Sequence, residues 1–167
     1  MSEARTSHAS ADARLDDDRV RGALLGTFVG DALGMPYEGR PAAGIPPGLE
    51  MMDARLGRGT YTDDTQMMIA LAESLLRCER VDPDDLARTF LARYDPRRGY
   101  GAGTIQVFEQ WQRGEPVALA ARCVFDGAGS FGNGAAMRVA PVAVRFAGDD
   151  SMLAAQAAAS ARVTHAT

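Results

Sequence analysis

Apolar positions recur at helical spacing in several separate blocks of this chain, and no convincing stretch alternates with the period of a strand. The first block is "RVRGALLGTFVGDALG", residues 19–34, led by Asp16, Asp17 and Asp18, acids that suit the positive end of a helix. Gly22, Gly26, Gly30 and Gly34 fall every four residues along one face of it. Each glycine costs a lone helix roughly 1 kcal/mol against alanine, so the stripe predicts close approach of another backbone and a central place for this helix. Residues 35–60, with Pro36, Pro41, Pro46 and Pro47 among repeated glycines, read as loop.

A second helix begins in "YTDDTQMMIALAESLL", where Met68, Leu71, Ala72 and Leu75 form an i, i+3, i+4, i+7 stripe. "VDPDDLARTFLARY" predicts a third, with Asp82 as N-cap, Pro83 in the first turn, Asp85 in the capping-box position and Leu86, Phe90 and Tyr94 on its apolar face. "DPRRGYGAGT" is a glycine-rich turn into a fourth helix, "IQVFEQWQRG", and "EPVALAARCVF" predicts a short fifth. "DGAGSFGNGAAMRVAPVAVRF" opens as a glycine loop, turns helical near Ala135 and meets Pro141, an expected kink. The acid-capped, alanine-rich "DDSMLAAQAAASARVTHAT" predicts a last helix running to the chain end. The fold class is therefore all-α. Residues 1–18 are expected to form a disordered tail, since 1–14 show no periodicity, with one domain over 19–167.

Composition narrows the function classes. A chain of 167 residues with net charge −4 offers no broad basic surface for nucleic acid, while a small phosphorylated ligand remains compatible. No apolar run approaches the ~20 residues that span a bilayer. Cys78 and Cys123 form no C-x-x-C pair, which favours a reduced, cytoplasmic protein.

The row Thr62, Asp63, Asp64, Thr65 has two readings. Asp63 with Gln66 fits a capping box, as does Thr62 with Thr65 more weakly, and caps are far commoner than metal sites. Adjacent carboxylates and hydroxyls also form a hard-cation site of the kind Mg²⁺ or Mn²⁺ prefers. "GYGAGT" and "GSFGNGAAMR" place free N–H groups before helices, where phosphate can bind, yet neither is a Walker or dinucleotide motif. Asn133, between two glycines, reads as a left-handed turn residue or a ligand contact. Glu38 reads as a surface acid, and His165 as a helix-end cation or a buried imidazole. There is no nucleophile elbow, and neither His8 nor His165 lies near a cysteine for a zinc site.

The order of these motifs adds what each alone lacks. "GALLGTFVGDALGMPYEG", "YTDDTQMM", "GYGAGT", "GSFGNGAAMRVAPV" and "VTHAT" together resemble the ADP-ribosylglycohydrolase superfamily, the all-α group that includes the dinitrogenase-reductase-activating glycohydrolases. The resemblance covers residues 19–167 and is nearest the branch acting on poly(ADP-ribose) and serine-linked ADP-ribose. It implies hydrolysis at the anomeric carbon of an ADP-ribosyl group with two Mg²⁺ or Mn²⁺ ions, and ADP-ribose or ADP-ribosylated protein as partner. By that resemblance Thr62, Asp63 and Asp64 are metal ligands and Glu38 is the acid on a mobile loop. Gly101 and Gly103 match a diphosphate contact, and Phe125 an aromatic that stacks on adenine. Ser130, Phe131, Gly132 and Asn133 match the loop around phosphates and distal ribose, and His165 lines that pocket. Family members complete the metal site with a D-x-D-T motif that this sequence lacks. The expectation is an N-terminal portion of the domain, with a complementing C-terminal segment or chain.

Overall fold

The computed structural model describes residues 15–165, and among them there are seven α-helices, four short 3-10 turns and no strand. The fold is all-α, as the periodicities predict. The helices are α1 (Asp17–Gly34), α2 (Asp63–Cys78), α3 (Pro83–Ala92), α4 (Ala102–Gln112), α5 (Val117–Ala120), α6 (Ala140–Arg145) and α7 (Asp150–Arg162). No helix among the described residues is long and apolar enough to cross a membrane.

α2 is the hub, packing on α3, α6 and α1. Met68, Leu71 and Leu75 of the expected stripe are buried, and so are Met67, Ala70 and Ser74, so the buried face is broader than one stripe. Against it lie Leu86 and Phe90 of α3, then Val107, Phe108 and Trp111 of α4. Phe108 stacks on Phe90 at 6.2 Å and on Trp111 at 5.3 Å between ring centroids. Side chains of this size contribute about 1.5–3 kcal/mol each when fully buried. Asp82 caps α3 by accepting from the backbone N–H of Asp85. The Asp85 carboxylate does not complete the box. It accepts from Ser74 and Arg77 instead, joining α3 to α2, and the Arg77 guanidinium holds its pKa down at about 2.

Several expectations change. α1 begins at Asp17, capped by Asp16, so the helix reaches back into the span 1–18 expected to be tail; residues 1–14 lie outside the described residues. The glycine face of α1 is not packed. A Cβ added at Gly22, Gly26, Gly30 or Gly34 would meet nothing within 4 Å, and Leu25 and Val29 beside them are exposed. α1 packs through its opposite side, on α2 and α6. α4 begins at Ala102, which puts Gly101 at its N-cap and Gly103 inside its first turn. α5 is four residues long, and the chain beyond it runs through turns to left-handed backbone at Phe125 (φ 52°) and Asp126 (φ 57°). Pro141 does not kink a helix. It sits in the first turn of α6, where its missing N–H leaves no bond unmade. α7 stops at Arg162, and the chain turns through buried Val163 and Thr164.

Candidate active site

The site is built where α1, α2 and the loops around α4 meet. Thr62, not Asp63, is the N-cap of α2: its hydroxyl accepts from the backbone N–H of Asp64 at 3.3 Å. Gln66 closes no capping box. Its amide donates to the carbonyl of Arg93 at 2.7 Å.

The larger cap comes from another helix. The Asp31 carboxylate of α1 accepts from the Thr62 N–H at 3.0 and 3.1 Å and from the Thr62 hydroxyl at 2.8 Å. It also accepts from the Thr65 N–H at 3.1 Å and the Thr65 hydroxyl at 2.6 Å. The open donors at the start of α2 are thus filled from α1. Asp63, itself buried, and the half-buried Asp64 are left out of that cap, with no side-chain donor to the Asp63 carboxylate among the described residues.

These two carboxylates open onto different hollows. Asp63 joins a cavity of about 420 Å³, and Asp64 joins Glu38, Asp31, Gly30 and Gly34 around a second of about 310 Å³. Burial first, then the charge of Asp64, lifts the pKa of Asp63 to about 7. Burial, then Asp31 and Glu38, lifts Asp64 to about 6. Burial also raises Glu38, against the opposing pull of Arg55. A cluster of carboxylates in this state is relieved by a cation. The donors are all oxygen, which suits a hard divalent ion. Even so, no three His, Cys, Asp or Glu side chains among the described residues converge closely enough to hold a metal. Thr62, Asp63 and Asp64 supply oxygen donors of the type such a shell uses, but the two carboxylates open onto different hollows and the buried Thr62 hydroxyl already donates to Asp31.

The 420 Å³ cavity gathers residues from distant motifs. Gly101 and Gly103 at the start of α4, Phe125, the segment Ser130–Asn133 and His165 line it together with Asp63. Missing side chains make the fit possible. A Cβ at Gly103 would stand 3.1 Å from the Phe125 ring and 3.3 Å from the Ser130 Oγ, and one at Gly134 would strike the His165 ring at 2.8 Å. The Phe125 ring is about half exposed, and Phe131 is almost fully so. The Ser130 hydroxyl accepts from the Gly132 N–H at 3.3 Å, closing the loop on itself. Asn133 is not left-handed; it opens a 3-10 turn, and its carbonyl accepts from Ala136 and Met137. His165 is half-buried beyond α7, its Nδ1 2.8 Å from the Thr164 hydroxyl. Burial, and after it the Arg138 cation, lowers its pKa, so the imidazole is neutral at neutral pH.

Every residue that the resemblance assigns to the site lies at one of the two hollows, except Thr62, which is fully buried behind them. Two partners escaped sequence reading. Asp31 had a faint signal, as the one acid in an apolar, glycine-striped helix interior. Arg55, which pairs with Glu38 at 3.2 Å, had none.

The family profile for ADP-ribosylglycohydrolase matches residues 11–167. The ADP-ribosylhydrolase ARH3 of Bos taurus is 39% identical over 164 residues, covering 89% of this chain and 45% of that protein. The ARH3 of Homo sapiens is 37% identical, covering 89% and 45%. A solved structure described as an ADP-ribosylglycohydrolase-related protein complex superposes with a TM-score of 0.71 at 38% identity, over 90% of this chain and 50% of the other. The chain spans about half the length of these relatives. With the profile matching nearly all of it, the chain belongs to the ADP-ribosylglycohydrolase family.

Proposed function

We propose that this chain supplies the ligand cavity and half the metal shell of a Mg²⁺- or Mn²⁺-dependent hydrolase. Its reaction is cleavage of the glycosidic bond in ADP-ribose conjugates, whether ADP-ribosylated protein, poly(ADP-ribose) or a related molecule. One observation carries the reading: residues from four separate motifs line a single cavity that ends at Asp63, one of two adjacent carboxylates kept protonation-prone by burial. The named relatives, ADP-ribosylhydrolases, support the substrate class.

Each residue has a role that its surroundings allow. The N–H groups at the start of α4 carry no side-chain cap, and Gly101 to Thr104 line the cavity, with glycines that keep bulk away from a diphosphate. The half-exposed Phe125 ring offers a face for adenine. Ser130–Asn133 enclose phosphate and ribose hydroxyls, and neutral His165, its Nδ1 engaged by Thr164, offers Nε2 to the ligand. Thr62, Asp63 and Asp64 would hold metal, which when bound orients ribose hydroxyls and acidifies a water. Glu38, its pKa raised by burial, takes or gives the proton as the glycosidic bond breaks. A complementing segment or chain would bring the remaining acidic ligands and cover the open face of α1. The free thiols Cys78 and Cys123 support a reducing, cytoplasmic setting.

The test is metal-dependent release of ADP-ribose by the protein with its complementing segment. Loss of release on Asp63→Ala plus Asp64→Ala supports the reading; unchanged release removes these residues from the site. A second reading is a non-catalytic ADP-ribose-binding module, which keeps the glycine loops around the cavity without the D-x-D-T motif. Calorimetry separates the two: binding that is indifferent to Mg²⁺, with no turnover, selects the module.

A further inference from the structure

Between the end of the Met35–Tyr37 turn and α2 the chain makes one 3-10 turn, Ala42–Gly44, and no longer regular element. Of its larger apolar side chains Ile45, Leu49 and Met52 are exposed and Met51 and Leu56 only partly buried, so little burial holds this loop to the body. Glu38 stands at its root. One weak tie is internal, from the Tyr37 hydroxyl to the Met52 sulfur at 3.2 Å. The strong tie is Arg55. One nitrogen of its guanidinium, Nη2, donates both to the Glu38 carboxylate at 3.2 Å and to the carbonyl of Arg98 at 2.8 Å.

The far end of this bridge is shaped to receive it. Arg98 ends the 3-10 turn Pro96–Arg98, whose own anchors are Asp95 and the Tyr61 carbonyl, bonded by Arg98 at 2.6 Å. Next in the chain, Gly99 has φ 93° and lies directly under the Arg55 guanidinium, so that any Cβ there would overlap it. Gly99 therefore provides both a left-handed turn and the room in which Arg55 docks. Two residues later Gly101 caps α4 at the cavity.

We propose that Arg55 is a positioning residue: it latches the Glu38 loop onto the Gly99 turn, fixing the Glu38 carboxylate beside Asp64. This rests on reading Glu38 as the acid of the proposed hydrolase. The latch ties together the three parts that must meet for that reaction: the acid loop, the entrance to α2 through Arg98 and Tyr61, and the glycine turn into α4.

Hydrogen exchange of the whole chain, without metal or substrate, tests the latch on peptides covering residues 38–58, with α3 peptides as internal reference. Arg55→Ala is expected to speed exchange of the loop about tenfold, as loss of a charged hydrogen bond and an ion pair predicts, with α3 unchanged. Arg55→Lys restores the contact to Glu38 without filling the Gly99 seat, so it rescues part of the protection. Gly99→Ala is expected to mimic Arg55→Ala, and to add little in the Arg55→Ala background. Unchanged loop exchange in Arg55→Ala, additive effects of the two substitutions, or equal acceleration of α3 would each overturn the proposal. Because no turnover is measured, failure of the latch leaves the hydrolase reading standing. Loss of ADP-ribose hydrolysis would likewise leave the latch standing.

Discussion

At the scale of single residues, Asp31 decides the chemistry of its neighbours without entering the cavity of about 420 Å³. By accepting four donors from Thr62 and Thr65 it does the work a local cap would do, and so leaves Asp63 and Asp64 uncommitted. Removing it strands two N–H groups and two hydroxyls, those of nearly fully buried Thr62 and Thr65. Unsatisfied buried groups cost about 1–3 kcal/mol each, offset in part by water and by relaxation. Asp31→Ala is expected to destabilise the protein by about 3 kcal/mol, and Asp31→Asn by less, since its amide oxygen still accepts. Urea denaturation measures both; equal, small losses would show that Asp31 is not the cap. Asp31 was hardly legible in the sequence because its bonds span 31 and 34 residues of chain. Local motifs report only the donors near at hand. Arg55 was invisible for the same reason, its contacts lying 17 and 43 residues away.

At the scale of elements, α2 and α3 were legible because their signals are local: a hydroxyl or carboxylate before the first turn, then apolar residues at 3.6 spacing. α1 was legible as a helix and misread as a neighbour, since a glycine stripe says that backbone can approach, not that it does. In this chain the stripe faces open space. Gly26→Ala should therefore gain the helix propensity of alanine without meeting any atom, raising stability by roughly 0.5–1 kcal/mol. A thermal melt checks this. The same substitution should weaken capture of a complementing segment if that segment packs on the stripe. Destabilisation of the chain alone by Gly26→Ala would mean that the face is already covered in solution.

At the scale of the whole molecule, the acidic site sets how stability responds to pH and to cations. Asp63 and Asp64 have folded pKa values of about 7 and 6, above the ordinary aspartate value near 3.8, chiefly through burial. The folded state thus binds their protons more tightly than the unfolded chain does. Their stabilisation is full below about pH 4 and is lost as pH rises through 6 and 7. Asp85, at about 2, works in the opposite sense: its contribution is present above the ordinary value and lost as pH falls toward 2. The metal-free protein should accordingly lose stability between pH 5 and pH 7.5. On the proposed metal reading, a divalent ion held by the ionised pair should reverse that loss. At about a hundred times its dissociation constant, Mg²⁺ is expected to raise the melting temperature by roughly 5–10 °C at pH 7.5, and by much less at pH 5. Asp63→Asn with Asp64→Asn should flatten the pH slope and abolish the Mg²⁺ shift together, because one pair of carboxylates underlies both. A Mg²⁺ shift that survives the double substitution would place the ion elsewhere on the molecule.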